Sequence, residues 1–333
     1  MHSAPPLLEL KDLSVRIRTR AGMVHPLRKV SLVLGAGERL GVVGESGSGK
    51  SVMCRSILRL LPPDRTQTEG EVRLDGRDLV KMRERDLSSV RGSQISMILQ
   101  DPLTALNPVL STFRQISEPL VLHKGLGGSA LRDAVAGHLK EVGIADPARV
   151  MKSFPHQLSG GMRQRVLIAA AIASGPRLLL ADEPTTALDV TVQSQILRLI
   201  RGLSEEHDMA LVLVSHNLGV IAQTCQRLVV MYAGQVMEAG PAAAVLRSPR
   251  HPYTVGLMRS VPKADRDVSE ELPGIAGLPP DLHDPPAGCP FRLRCPIAIE
   301  ACATADVTAT ATDVGPEHIT TCVRAGELGV LDA

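Results

Sequence analysis

Gly44-Glu45-Ser46-Gly47-Ser48-Gly49-Lys50-Ser51 matches the spacing G-x-x-x-x-G-K-[ST] at every fixed position. The chemistry open to such a run is anion capture. Its glycines let the backbone wrap closely, so that N–H groups point inward at phosphate oxygens. A helix starting at Lys50 adds partial positive charge. Lys50 then reaches the outer phosphates of a nucleoside triphosphate, and the Ser51 hydroxyl ligates Mg²⁺. A second candidate site is the acid pair Asp182-Glu183, which follows Leu178-Leu179-Leu180-Ala181. Beside a phosphate loop, an aspartate at a strand end supports Mg²⁺, and the next glutamate can polarise a water for in-line attack on the γ-phosphate. Alone, Asp-Glu after a strand is more often a helix cap or a solvated turn; the upstream loop reverses that reading. In the third, Leu158-Ser159-Gly160-Gly161-Met162-Arg163-Gln164, Ser159 is a good N-cap and the glycines leave a bare helix start. One chain thus carries two anion sites.

Four of the six cysteines, Cys289, Cys295, Cys302 and Cys322, are spaced C-x5-C-x6-C-x19-C. Zinc modules prefer tighter pairs, iron–sulfur clusters take four thiolates at more varied spacings, and packed reduced thiols are a third reading. Cys54 and Cys225 read as small buried apolar residues.

The elements that must position these groups are short apolar runs bounded by Gly and polar residues. Leu40 to Val43, Leu178 to Ala181 and Leu211 to Val214 read as buried strands. Between them lie segments of helical spacing, such as Val52, Ile57 and Leu61. Strands alternating with helices predict an α/β domain on a mostly parallel sheet. Residues 101–165 carry helical patterns and few strand signals, and read as an inserted helical subdomain. Beyond Arg250, Pro273, Pro279, Pro280, Pro285, Pro286 and Pro290 make a stiff, turn-rich path into the cysteine segment. The expected partition is 1–248 for the main domain and 249–333 for a small Cys-containing C-terminal extension.

The chain has 333 residues, with 37 Lys and Arg against 35 Asp and Glu, so no global charge favours nucleic acid. Its N-terminus, Met1-His2-Ser3-Ala4-Pro5-Pro6, has no secretory pattern. No stretch approaches the roughly 20 apolar residues of a membrane span. The expected location is cytoplasmic, with membrane contact made through partners.

Together the motifs resemble those of ATP-binding-cassette ATPases, over residues 8 to 245 and in the family's order. That resemblance implies a P-loop NTPase cassette, with ATP and Mg²⁺ as cofactors. Ser159-Gly160-Gly161 resembles the signature sequence, Gln100 the glutamine-loop residue, Asp189 in Thr186-Ala187-Leu188-Asp189 the D-loop aspartate, and His216 the switch histidine. It implies catalytic roles for Glu183, His216 and Gln100, and Mg²⁺ held by Ser51, Gln100 and Asp182. In the family, two cassettes pack head to tail, and Ser159 and Gly161 would contact the γ-phosphate bound by the partner. One departure stands out. Where the family stacks adenine on an aromatic residue, Val15 to His25 has none; Ile17 sits near the place, and His25 or Arg18 could substitute.

Gln100-Asp101-Pro102-Leu103-Thr104-Ala105-Leu106-Asn107-Pro108 and His251-Pro252-Tyr253-Thr254 resemble the oligopeptide and dipeptide importer branch. Read as residues, the second is a turn starting a helix, with no acid or phosphate loop associated with it. The branch implies a second, non-identical cassette, two transmembrane permease subunits and an extracytoplasmic solute receptor. The chain would then be peripheral on the cytoplasmic face of the inner membrane, driving peptide uptake. Nickel, sugar or another solute is the alternative cargo, and a non-transport cassette ATPase the alternative role. Gly288-Cys289-Pro290, Arg294-Cys295-Pro296 and Cys322 resemble the branch's C-terminal cysteine region, which implies a [4Fe–4S] cluster on Cys289, Cys295, Cys302 and Cys322.

Overall fold

The computed structural model describes residues 5–260 (187 aside), 274–305, 307, 310–312 and 315–332; Met1, His2, Ser3, Ala4, Ala187 and Pro273, named above, lie outside the described residues. In chain order the elements begin with strands β1 (Leu8–Thr19), β2 (Gly22–Leu34) and β3 (Arg39–Val43), then α1 (Lys50–Ile57), β4 (Thr66–Leu74) and β5 (Arg77–Asp78). Next come α2 (Glu84–Val90), β6 (Ile95–Ile98), α3 (Pro102–Ala105), α4 (Thr112–Lys124), α5 (Gly128–Glu141), α6 (Pro147–Lys152) and α7 (Gly160–Ile172). The chain continues through β7 (Leu178–Asp182), α8 (Val190–Glu206), β8 (Ala210–Val214), α9 (Leu218–Thr224), β9 (Arg227–Tyr232) and β10 (Gln235–Pro241). Last come α10 (Ala242–Arg247), α11 (Pro252–Arg259), β11 (Thr310–Thr312) and β12 (Gly315–Thr320). Among the described residues, no helix is long and apolar enough to cross a membrane.

Two compact units emerge. One comprises residues 1–34, 39–80 and 215–333. Within it β1 pairs antiparallel with β2 and β4, and β4 with β5. Leu8, Leu10, Leu13 and Val15 all point into the core, although their spacing breaks strict alternation. The chain keeps them inward by shifting register between Leu10 and Leu13, where Asp12 has φ 48°. This antiparallel layer was not legible as such beforehand. In the same unit β3 runs parallel to β9, β9 antiparallel to β10, and β12 antiparallel to β10. The C-terminal region thus adds two strands to the sheet, β12 against β10, with Glu238 opposite Thr320 and Ala239 opposite Ile319, and β11 beyond it. A buried His318–Glu238 pair, 2.7 Å apart, joins the same two strands.

The other unit comprises residues 35–38 and 81–214. There β6, β7 and β8 run parallel, with Leu178 opposite Ala210 and Asp182 opposite Val214. Every residue of β7 and β8 is buried, which explains their unbroken apolar runs. The helix α7 is apolar around most of its circumference, with Val166, Leu167, Ile168, Ala169 and Ile172 buried. Against it lie α3, α4, α5 and α8.

His251 heads α11, and its ring Nδ1 accepts from the Tyr253 N–H at 3.1 Å. Burial lowers its pKa to about 3, so the ring is neutral and free to accept. An unfolded chain takes up that proton near pH 6.5, whereas the folded one does not until about pH 3. The contribution of His251 to stability is therefore complete above about pH 6.5 and is lost as pH falls below it, by at most about 1.4 kcal/mol per pH unit. His251→Asn retains a capping acceptor without the titrating ring. Between about pH 7.5 and about pH 5.5 the urea midpoint should fall further for the wild type than for His251→Asn; equal falls would clear His251 of the effect.

Candidate active site

The strand β3 delivers the chain into the phosphate loop, and Gly44 makes the first turn at φ 152°. A Cβ there would sit 2.1 Å from the Met231 carbonyl oxygen and 2.8 Å from Ser48 Oγ. Only glycine fits that approach. Lys50, 5% exposed at the start of α1, donates from Nζ to the carbonyls of Gly44 at 2.8 Å and Glu45 at 2.9 Å, and to Ser48 Oγ at 3.3 Å. The ammonium is thereby held inside the loop that it serves. Ser46, Gly47, Ser48 and Gly49 complete the turn, and Gly234 N–H donates to the Ser48 carbonyl at 3.0 Å. A cradle that a Cβ would fill, lined by a buried lysine, fits a nucleoside triphosphate; Ser51 follows in the first turn of α1.

The second set of residues is in the other unit. Asp182 ends β7 fully buried, placed there by its register with Val214. Such a buried carboxylate suits a divalent cation. Glu183 adopts φ 46°, an uncommon left-handed backbone for a non-glycine residue, and its N–H donates to the Val214 carbonyl at 3.1 Å. Strain of this kind clusters at functional sites, where the surroundings hold the residue in place. Gln100 Nε2 donates to Glu183 Oε2 at 2.9 Å, and Thr186 Oγ1 donates to the same oxygen at 3.1 Å. Two residues matched on separate motifs, Gln100 and Glu183, thus meet. Thr186 was not singled out in the sequence; its place three residues after Glu183 is the signal that could have found it.

Ser159 caps α7, accepting from Met162 N–H at 3.3 Å, and stays exposed with Gly160. A Cβ on Gly161 would lie 3.0 Å from Val192 Cγ1 in the first turn of α8. That close approach lets two helix starts share one corner. Asp189 caps α8 through Oδ1, which accepts from Val192 N–H at 2.9 Å. His216, in the first unit, is exposed between Ser215 and Asn217, the latter capping α9.

Three expectations change. The first concerns the cysteines. Cys289, Cys295, Cys302 and Cys322 do line a common cavity, together with His251, Phe291 and Arg324. Among the described residues, no group of three or more His, Cys, Asp or Glu is arranged to hold a metal ion. Burial pushes the Cys289 and Cys322 thiols up to about 11. The [4Fe–4S] expectation is therefore not supported. Cys54 and Cys225 are buried as expected.

The second change is at His251-Pro252-Tyr253-Thr254, which does meet a phosphate loop. Tyr253 Oη accepts from Glu45 N–H at 2.7 Å. The third is a residue that sequence reasoning passed over: Arg294, whose guanidinium grips the Glu45 carboxylate at 2.6 and 3.1 Å. In the stretch without aromatics, Ile17 pairs with Val24 and Thr66, and Arg18 N–H donates to the Arg65 carbonyl at 2.8 Å. His25 N–H donates to the Leu282 carbonyl at 2.9 Å.

A glycine-turned phosphate loop and a buried strand ending in Asp-Glu define a P-loop nucleotide hydrolase. The ABC transporter profile matches residues 27–186, and that of the oligopeptide/dipeptide transporter C-terminal region matches 237–302. The chain is 46% identical over 295 residues to the oligopeptide transport ATP-binding protein OppD of Bacillus subtilis (strain 168), covering 88% of this chain and 82% of that one. It is 46% identical over 297 residues to the dipeptide transport ATP-binding protein DppD of the same organism, covering 89% and 88%. Among solved structures, the dimeric post-hydrolysis state of the ATP-binding cassette MJ0796 bound to ADP and Pi is similar, at 30% identity and a TM-score of 0.63, covering 71% of this chain and 98% of that one. The chain belongs to the ATP-binding-cassette transporter ATPases, in the oligopeptide/dipeptide branch. It is an ATPase that uses Mg²⁺.

Gly44→Ala should cost more than about 1 kcal/mol of stability and weaken ATP binding at least about ten-fold, because the Met231 carbonyl would have to move. Urea unfolding and nucleotide titration check both; a variant that folds and binds like the wild type would mean that Gly44 is replaceable.

Proposed function

We propose that this chain is one of two cassettes that hydrolyse Mg-ATP to drive uptake of di- or oligopeptides. The match of residues 237–302 to the oligopeptide/dipeptide C-terminal region carries this reading, supported by relatives named for oligopeptide and dipeptide transport. Its partners are a second, non-identical cassette, two transmembrane permease subunits and, through them, an extracytoplasmic solute receptor. The working location is the cytoplasmic face of the inner membrane. The cassette comprises residues 1–248, with its helical subdomain at 101–165, and the extension 249–333.

The roles follow from the chemistry of each group. Gly44 to Gly49 turn N–H groups toward the phosphates, and Lys50 supplies the charge. Ser51, Asp182 and Gln100 would hold Mg²⁺, which when bound neutralises developing charge on the phosphate oxygens. Ser159, Gly160 and Gly161 offer an uncovered helix start to the γ-phosphate held by the partner cassette, and Asp189 lies at the start of α8 nearby. Glu183 orients and polarises the attacking water. Its hydrogen bond from Gln100 and its left-handed backbone hold the carboxylate in one place before ATP arrives. His216 donates to the γ-phosphate as charge develops there. The water oxygen bonds to the γ-phosphorus while the bond to the bridging oxygen breaks, leaving ADP and phosphate. ATP joins two cassettes and hydrolysis parts them, so each cycle works the attached membrane subunits.

Glu183→Gln should bind ATP as tightly as the wild type and hydrolyse it about 10²-fold or more slowly, with ATP-dependent pairs of this chain and the second cassette accumulating on a sizing column. Unchanged turnover would remove Glu183 from that role. Cargo is tested by reconstituting the chain with its permease and receptor subunits and following uptake of labelled dipeptides, nickel and sugars; uptake of nickel or sugar but not peptide would overturn the peptide assignment.

A further inference from the structure

Glu45 is an odd residue for its position. It places a carboxylate in a loop shaped for a polyanion, yet it is held at three points. Its carbonyl accepts from Lys50 Nζ at 2.9 Å, its N–H donates to Tyr253 Oη at 2.7 Å, and its carboxylate takes a two-pronged contact from Arg294. Two of these three come from beyond residue 248.

Arg294 is built as a fixed fork. Its side chain is 6% exposed. All five of its N–H groups have acceptors: Nε donates to the Ala276 carbonyl at 2.9 Å, one terminal nitrogen to Glu45 Oε2 and Tyr232 Oη, and the other to Glu45 Oε1 and the Ile275 carbonyl. Aromatic packing backs it. The chain has two Tyr, three Phe and no Trp, and three of those five rings converge here. Tyr232, Tyr253 and Phe291 stand 4.6 to 5.4 Å apart between centroids. The Arg294 guanidinium lies 5.7 Å from the Tyr232 centroid and 6.0 Å from that of Phe291. A guanidinium with every donor used cannot swing to follow a nucleotide, so its role is to hold Glu45.

We propose that Arg294 is a positioning residue for the phosphate loop: it neutralises and fixes Glu45, and so makes ATP binding depend on the docked C-terminal extension. Without it, the Glu45 carboxylate repels the triphosphate and the loop loses its second fixed residue. The inference rests on the reading that Gly44 to Ser51 hold the phosphates. Lys50→Ala, titrated alongside, separates the two: if Lys50→Ala binds ATP as tightly as the wild type, the loop reading itself fails.

The test uses the full chain, with a fluorescent ATP analogue for Kd, ATP hydrolysis for KM and kcat, and circular dichroism for folding. Arg294→Gln should raise Kd and KM about ten-fold while kcat changes less than about twofold. The double variant Arg294→Gln, Glu45→Gln should recover to within about threefold of the wild-type Kd, because the uncompensated charge is gone. A merely structural ion pair gives no such rescue, since the double variant lacks it equally. The proposal is overturned if Arg294→Gln binds like the wild type while Lys50→Ala does not, or if the double variant binds as weakly as Arg294→Gln. Should Arg294→Gln not fold, Arg294→Lys keeps the charge and loses the fork: an intermediate rise in Kd supports the proposal, and an unchanged Kd overturns it.

Discussion

Bare backbone is what this chain has to bring to an anion, and the room for it is decided at Gly44. With a Cβ 2.1 Å from the Met231 carbonyl, no side chain fits where the chain leaves β3 and turns. The rest of the loop depends on that turn. Lys50 can reach back to the Gly44 and Glu45 carbonyls because the backbone has already curled around it. A buried lysine held against the Gly44 and Glu45 carbonyls and Ser48 Oγ brings positive charge into a loop of inward N–H groups, a setting suited to a polyanion.

Glu183 shows a different constraint. A left-handed backbone costs a non-glycine residue of order 1 kcal/mol or more, and the cost is offset by fixed partners. Its N–H is tied to Val214, while its carboxylate receives both Gln100 and Thr186. The carboxylate is therefore aimed by backbone and side chains together. Asp182, one residue earlier, is still in the strand and buried. Adjacent acids thus take different environments from a single change in backbone conformation between them.

The legible parts were those whose signal is local. The runs Leu178 to Ala181 and Leu211 to Val214 are strands because both faces are covered, and continuous apolar sequence says so directly. The phosphate loop and the Ser159 cap need only neighbours within a few residues. Illegible were contacts made across the chain: Glu45 meets Tyr253 at a separation of 208 residues and Arg294 at 249, and nothing near either partner announces it. The antiparallel layer of β1, β2 and β4 escaped because a bulge at Asp12 breaks the alternation that marks such strands. The cysteines failed in another way. The four line one cavity, but spacing along the chain carries no ligand geometry, and among the described residues no group of three or more His, Cys, Asp or Glu is arranged to hold a metal ion.

The buried His318–Glu238 pair bears on why the C-terminal region is part of the first unit instead of a loose appendage. Burying two such groups costs desolvation, and replacing them by apolar residues of similar size is often neutral or stabilising. Stability alone is a poor reason for the pair. Register is a better one. Glu238 Oε1 accepts from Arg250 N–H at 2.6 Å as well as facing His318 Nε2 at 2.7 Å, so one carboxylate oxygen ties β12 and the chain entering α11 to a single point on β10. A slip of β12 by one residue would turn His318 to the other face and leave Glu238 buried with one partner fewer. The extension is thereby locked where Tyr253 and Arg294 can reach the phosphate loop.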